Sequence, residues 1–375
     1  MPDLKIAEFR RLIVKIGSAL LTDDSGSVNQ PWLSGIAADV AALREAGSEV
    51  LIVSSGAIAI GCRILGIDRR RARLEMLQAA AAAGQVQLVH AYQEALNVHD
   101  IRAAQVLLTL EDTENRRRFL NAKGTLQTLL EHGVVPVINE NDTTATDEIR
   151  YGDNDRLAAR VAQMVMADGL LLLSDVDGLY TSDPGVDPDA SHVPEVDRVS
   201  DAVLAMAGGP RNTNGSGGMA AKLQAARIAT HAGCSTVIAS GVAMQPIGAL
   251  TDGARSTVFH AQGTPAAVRK QWLAGALKFK GSLQLDPGAV TALAAGRSLL
   301  PVGVVCVTGT FSRGDPVLLL NVDGKELGRG LVAYESAEAA AIAGCRSGEI
   351  ESRLGYRGRS VMIHRNDLVL IGGDT

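Results

Sequence analysis

Leu12-Ile13-Val14-Lys15-Ile16-Gly17-Ser18 sets a lysine inside an apolar run, with a small flexible pair directly behind it. The run reads as a buried strand, because parallel strands covered on both faces are near-continuous in Val, Ile and Leu. Similar runs recur at residues 50–53, 106–108, 134–138, 170–173 and 236–239. Helical patterns lie between them. The clearest spans residues 32–46, where Leu33, Ile36, Val40 and Leu43 share one face and Gly47 supplies the stop. This alternation predicts an α/β fold with a doubly wound, mainly parallel sheet whose ligands bind beyond the carboxyl ends of the strands.

The pattern changes after about residue 260. Residues 261–280 contain Pro, Gly and Lys around one short helix predicted at 266–273, and read as a linker. Short strands are then predicted at 303–308, 316–320, 325–332 and 360–370. Turn signals such as Ser312-Arg313-Gly314-Asp315 and Asp323-Gly324 break them. The expected organisation is therefore a large α/β domain over 1–260, a linker over 261–280 and a small, mostly β domain over 281–375. A chain of 375 residues is long enough for two such cores. The alanine cluster at residues 79–83 fits an ordinary, tightly packed helix.

Composition narrows the function classes. Hydrophobic residues make up 46% and charged residues 21%, yet no apolar run reaches the ~20 residues that a bilayer crossing needs. The first eleven residues are charged and lack a signal-like apolar stretch, so a cytoplasmic protein is expected. Cys62, Cys234, Cys306 and Cys345 are scattered without a CxxC pair, and are expected to be buried free thiols. A net charge of −5 and an aromatic content of 3% offer nucleic acid neither general attraction nor many stacking platforms. In the tail, Arg346, Arg353, Arg357, Arg359 and Arg365 are interrupted by Glu349, Glu351 and Asp367. That mixture reads as a solvated surface rather than an RNA-binding patch.

The chemistry-bearing residues stand at the predicted strand ends. A lysine in a buried strand either meets an anion, for which a phosphate near the Gly17-Ser18 turn is suited, or snorkels to water. Ser54-Ser55-Gly56-Ala57 reads as an anion nest leading into a helix, or as a turn made for close packing. Asn139-Glu140-Asn141-Asp142-Thr143-Thr144 and Gly152-Asp153-Asn154-Asp155 carry amides and carboxylates at high density. They suit a substrate bearing both an ammonium and a carboxylate, with Asp142 on the ammonium; ordinary Asx turns are the alternative. Ser174-Asp175-Val176-Asp177-Gly178-Leu179-Tyr180 offers carboxylates to a nucleotide and its Mg²⁺, although turn capping is the favoured role for Asp177 and for Asp183. Asn214-Gly215-Ser216-Gly217-Gly218-Met219 opens a helix with Lys222 on its first turn and reads as a phosphate cradle, neither a P-loop nor a dinucleotide fingerprint, with a flexible glycine-rich linker as the alternative. Read jointly, Lys15, Lys222 and the glycine loops suit phosphoryl transfer, which needs positioning and charge neutralisation rather than a protein nucleophile.

Taken in this order, with Val135-Pro136-Val137-Ile138 before the first Asx-rich loop and Gly178-Leu179-Tyr180-Thr181 after the fifth strand, the motifs closely resemble bacterial glutamate 5-kinases of the amino acid kinase superfamily. The tail, with Leu300-Pro301 and Phe311-Ser312-Arg313-Gly314-Asp315, resembles a PUA domain and not the ACT repeats of an aspartate kinase. The resemblance implies ATP-dependent phosphorylation of the γ-carboxylate of L-glutamate to L-glutamyl 5-phosphate, the first step of proline synthesis. It further implies Mg²⁺ held mainly by phosphates, a homo-oligomer (dimer or tetramer) and feedback inhibition by L-proline. Residue by residue, it implies that Lys15 and Lys222 act on the phosphates and that Asp155 organises them. Ser55, Asp142 and Asn154 match glutamate contacts. Lys15, Ser174, Asp175, Ser216, Gly217, Gly218, Met219, Ala220, Ala221 and Lys222 match ATP contacts. Ser54, Ser174 and Ser216 stand where the family often has Thr, a change that keeps the hydroxyl.

Overall fold

The computed structural model describes residues 6–23, 25–144, 153–207, 218–274 and 279–371, with the backbone alone at 153, 269, 271, 272 and 274. The chain divides into two compact units, Met1–Pro265 and Ala266–Thr375.

The strands of the first unit are β1 (Arg11–Ile16), β2 (Glu49–Val53), β3 (Ala103–Leu108), β4 (Val135–Glu140), β5 (Gly169–Ser174), β6 (Leu179–Tyr180), β7 (His192–Val193), β8 (Glu195–Val196), β9 (Ser235–Ser240) and β10 (Ser256–Phe259). Its helices are α1 (Ser18–Leu21), α2 (Gln30–Glu45), α3 (Ala57–Leu65), α4 (Leu74–Asn97), α5 (Leu110–Glu114), α6 (Arg116–Glu131), α7 (Asp153–Val165), α8 (Asp201–Ala205), α9 (Met219–His231) and α10 (Pro246–Thr251). Eight strands form one sheet in the order β3-β4-β2-β1-β5-β9-β10-β8. Pairing is parallel from β3 to β9, and only β10 runs antiparallel to its neighbour β9.

Helices cover both faces, and β1 distributes its side chains between two cores by the two-residue period of a strand. Leu12, Val14 and Ile16 enter the core that holds Leu33 and Ile36 of α2 and Leu88 and Tyr92 of α4. Ile13 enters the opposite core, with Leu157 and Val161 of α7 and Leu223 and Ala226 of α9. The same alternation turns Lys15 to the side of α7 and α9. That parity decides where the charged centre lies.

One predicted strand differs in character. Residues 106–108 were expected to be buried, whereas β3 is the edge of the sheet and leaves Gln105 and Leu107 exposed. An edge strand has a neighbour on one side only, so covering it is not required of the fold.

Helices α3 and α4 cross closely. A Cβ on Gly61 would overlap the carbonyl of Ala80, and one on Gly84 would overlap the carbonyl of Ala57. Backbone cannot swing aside as a side chain can, so Gly84→Ala is expected to destabilise the protein by about 2 kcal/mol even though alanine favours a helix. Urea unfolding measures this; a variant as stable as the parent would show that the crossing relaxes freely.

The Ala266–Thr375 unit contains β11 (Gly281–Leu285), β12 (Val304–Gly309), β13 (Pro316–Leu320), β14 (Glu326–Leu331) and β15 (Leu368–Leu370), in the sheet order β12-β11-β13-β14-β15. Its own core is built on Leu283, Leu285, Val317, Leu319, Ile342, Met362 and Ile363. Strand β11 escaped the sequence reading, since only Leu283 and Leu285 mark its alternation. The strand predicted at 360–370 shrinks to β15, because residues 365–367 form a 3-10 turn. Cys306 is exposed, against expectation, because it lies on the edge strand β12; Cys62, Cys234 and Cys345 are buried. Among the described residues, no helix is long and apolar enough to cross a membrane.

Candidate active site

Three elements converge on one carboxylate. Lys15 comes from β1, Asp155 from the first turn of α7 and Lys222 from the first turn of α9. Asp155 is 0% exposed, and both lysines are 5% exposed. Lys15 Nζ lies 2.5 Å from Asp155 Oδ1, and Lys222 Nζ lies 3.2 Å from Oδ2. Burial pushes the Lys15 amine below the usual lysine range; the Asp155 carboxylate opposes that shift and the Lys222 charge adds to it. One carboxylate thus faces two buried ammonium groups. Two ammonium groups side by side at low exposure attract a further anion, and a phosphoryl group has several oxygens to offer two donors.

Beside this centre runs a row of polar side chains. Asn154 precedes Asp155 on α7 and donates from Nδ2 to Ser55 Oγ at 3.0 Å, with Asn139 Oδ1 at 3.4 Å. Asn139, at the end of β4, donates to Gln85 Oε1 at 2.7 Å. The turn that presents Ser55 needs Gly56, whose φ of 93° is left-handed. The two serines of that turn part company: buried Ser54 bonds the Tyr92 hydroxyl at 3.1 Å, while Ser55 faces Asn154. Burial drives the Tyr92 phenol far above its ordinary range, so it serves as a neutral partner. Asp142 lines a cavity of about 210 Å³ together with Gln85, Gln105 and Glu140.

The remaining candidates lie around the ends of β5 and α9. Ser174 is buried, and its carbonyl accepts from Gly241 N at 2.7 Å. Gly17 N donates to Leu173 O at 3.1 Å, which brings the turn after β1 against the end of β5. Asp175 is exposed and close enough to attract the Lys15 charge. Gly218 caps α9, whose first turn carries half-buried Met219 and Ala221 and exposed Ala220. Ser216 and Gly217 lie outside the described residues. Asp183 does cap a turn, accepting from Gly185 N at 2.9 Å. Asp177 does not: it accepts from the Tyr180 hydroxyl at 3.1 Å and pairs with Arg255 at 3.3 Å, because Arg255 just ahead of β10 reaches across to it.

Gln85 and Tyr92 were missed as site-supporting residues. The available signal was their spacing of seven on the helical stripe Ala81, Gln85, Leu88 and Tyr92, where a polar group on a buried face needs a partner.

The amino acid kinase family pattern matches residues 10–240. The chain belongs to the amino acid kinase family. A PUA domain matches residues 281–354. The chain is 58% identical to the glutamate 5-kinase of Paramagnetospirillum magneticum, over 98% of this chain and 99% of that one. It is 55% identical to the glutamate 5-kinase of Dinoroseobacter shibae, over 96% of this chain and 98% of that one. Among solved structures, the carbamate kinase from Giardia lamblia bound to AMP-PNP is similar with 18% identity and a TM-score of 0.49, covering 68% of this chain and 100% of that chain.

Proposed function

We propose that this chain transfers the γ-phosphoryl group of ATP to the γ-carboxylate of L-glutamate, forming L-glutamyl 5-phosphate and ADP. The observation that carries the transfer is the buried Lys15–Asp155–Lys222 centre; the choice of glutamate is supported by the names of relatives at 50% identity and above. A carboxylate oxygen attacks the γ-phosphorus as the bond to the ADP oxygen breaks. The acceptor is ionised at neutral pH, so no general base is required. The two lysines neutralise charge on the transferring group, and Asp155 holds them apart in fixed positions. Both Asp155 oxygens face lysines, whereas Asp175 is exposed and would be free to help hold a Mg²⁺ bound mainly by the phosphates. When bound, that ion supplies further neutralisation of the phosphates.

On this reading Lys15, Ser174, Asp175 and residues 216–222 bind ATP, while Ser55, Asp142 and Asn154 bind glutamate. The motif resemblance supports a cytoplasmic homo-oligomer, dimer or tetramer, that supplies proline synthesis and is inhibited by L-proline. The change of sequence pattern after about residue 260 supports domain limits of 1–260, 261–280 and 281–375. An ADP-release assay across glutamate, aspartate and acetylglutamate tests the reaction. Turnover with glutamate alone is expected, and faster turnover with either rival would overturn the assignment. Asp142→Ala is expected to raise the KM for glutamate about 30-fold with kcat within about threefold, since an ammonium contact is made equally in the ground and transition states. If instead only the KM for ATP rose, Asp142 would belong to the nucleotide.

A further inference from the structure

The amide row beside the lysine centre has its orientation fixed from one point. The backbone N–H of Glu140 can only donate, and it bonds Asn139 Oδ1 at 2.9 Å. Asn139 Nδ2 is therefore the donor toward Gln85, and the atom it meets at 2.7 Å must be Oε1. On the other side, Asn154 Nδ2 is taken up by Ser55 and Asn139. The row ends in two atoms of opposite character, the donor Gln85 Nε2 and the acceptor Asn154 Oδ1. Both are buried, and neither has a hydrogen-bond partner among the described residues.

Gln85 is 8% exposed and lines the same cavity as Asp142. With Oε1 committed to Asn139, Nε2 is the one polar group it has left for an occupant. A buried N–H without an acceptor has lost its water for nothing in return, so the donor calls for an acceptor on the ligand. Of the charged groups on an amino-acid substrate, the ammonium would be repelled by that N–H and a carboxylate attracted.

We propose that Gln85 is a substrate-binding residue that donates from Nε2 to the α-carboxylate of the substrate. This rests on the reading of the substrate as glutamate, and it completes a division of labour: Asp142 takes the ammonium, the γ-carboxylate turns to Lys15 and Lys222, and Gln85 takes the carboxylate that does not react. Its distance from the reacting end follows from connectivity, because Asn139 and Asn154 stand between Gln85 and Asp155 in the row. The backbone N–H of Glu140 thus acts on substrate recognition by fixing which face of each amide is free.

L-Isoglutamine, which keeps the γ-carboxylate but carries an α-carboxamide, distinguishes this role from simple support of Asn139. Gln85→Glu preserves shape and the acceptor for Asn139 while replacing the free donor by a carboxylate oxygen. The wild type is expected to prefer glutamate over isoglutamine, in kcat/KM, by about 100-fold. Gln85→Glu should lower that preference at least tenfold, by raising the KM for glutamate while kcat for glutamate stays within about threefold. Gln85→Met, which carries no charge into the core, should likewise raise the KM for glutamate and weaken the preference. Equal losses on both substrates with the preference unchanged would overturn the assignment and leave Gln85 as a positioning residue for Asn139. A wild-type protein that phosphorylates neither compound would overturn the glutamate reading itself, and this assignment with it.

Discussion

Lys222→Ala is expected to lower kcat about 1000-fold and to leave the KM for glutamate within about threefold. Two facts about the lysine lead there. It meets Asp155 Oδ2 at 3.2 Å from the first turn of α9, directly behind the glycines that are proposed to cradle phosphate. Its removal also leaves Lys15 and Asp155 as a buried pair of balanced charge at 2.5 Å, which the fold can keep. The loss therefore falls on the reaction rather than on folding. A unit charge pair at 4 Å and an effective dielectric of ~20 is worth about 4 kcal/mol, or about three decades of rate. Charge that builds on the transferring oxygens is felt in the transition state, so kcat changes while ground-state binding of glutamate does not. Steady-state kinetics with both substrates varied, alongside a thermal melt, gives the answer. A kcat near the parent value would remove Lys222 from the catalytic machinery.

Much of this site was legible in the linear order of residues, and for a physical reason. Lys15 is conspicuous because a charge inside an apolar strand violates the pattern around it, and the parity of β1 fixes which face it takes. Asn154 and Asp155 follow a strand end within a dense polar stretch, and Lys222 follows three glycines. Each violates a local rule, and such violations concentrate where ligands bind. What escaped was tertiary. The role of Gln85 depends on a hydrogen bond to a residue 54 positions away, and Ser54 differs from Ser55 only because Tyr92 happens to lie beneath it. The close crossing at Gly61 and Gly84 is likewise invisible in a run that reads simply as a small-residue helix. Strand β3 was misjudged because an apolar run does not say whether a second strand will cover its outer side.

Asp155→Ala should be the most damaging of the substitutions at this centre, exceeding the loss of either lysine, because it takes away the one carboxylate that both lysines share. The parent holds two ammonium groups against the Asp155 carboxylate; the variant keeps both, at positions 5% exposed, without it. Removing one partner of a buried ion pair costs about 3–5 kcal/mol, which for a unit of this size lowers the melting temperature by about 10 °C. The deficit should depend on pH with a definite sign. Lys15 already titrates below 10.5, the value it regains on unfolding, and losing Asp155 removes the largest influence opposing that shift. Between the lowered folded value and 10.5 the unfolded chain binds more protons than the folded one, so the free energy of unfolding rises with pH. The melting temperature of Asp155→Ala is therefore expected to climb toward that of the parent as pH is raised from 7 to 10. Asp155→Asn, which retains an acceptor oxygen but no charge, should fall between the two. A variant that melts with the parent at pH 7, or whose deficit grows with pH, would mean that the carboxylate is not what keeps the two lysines buried.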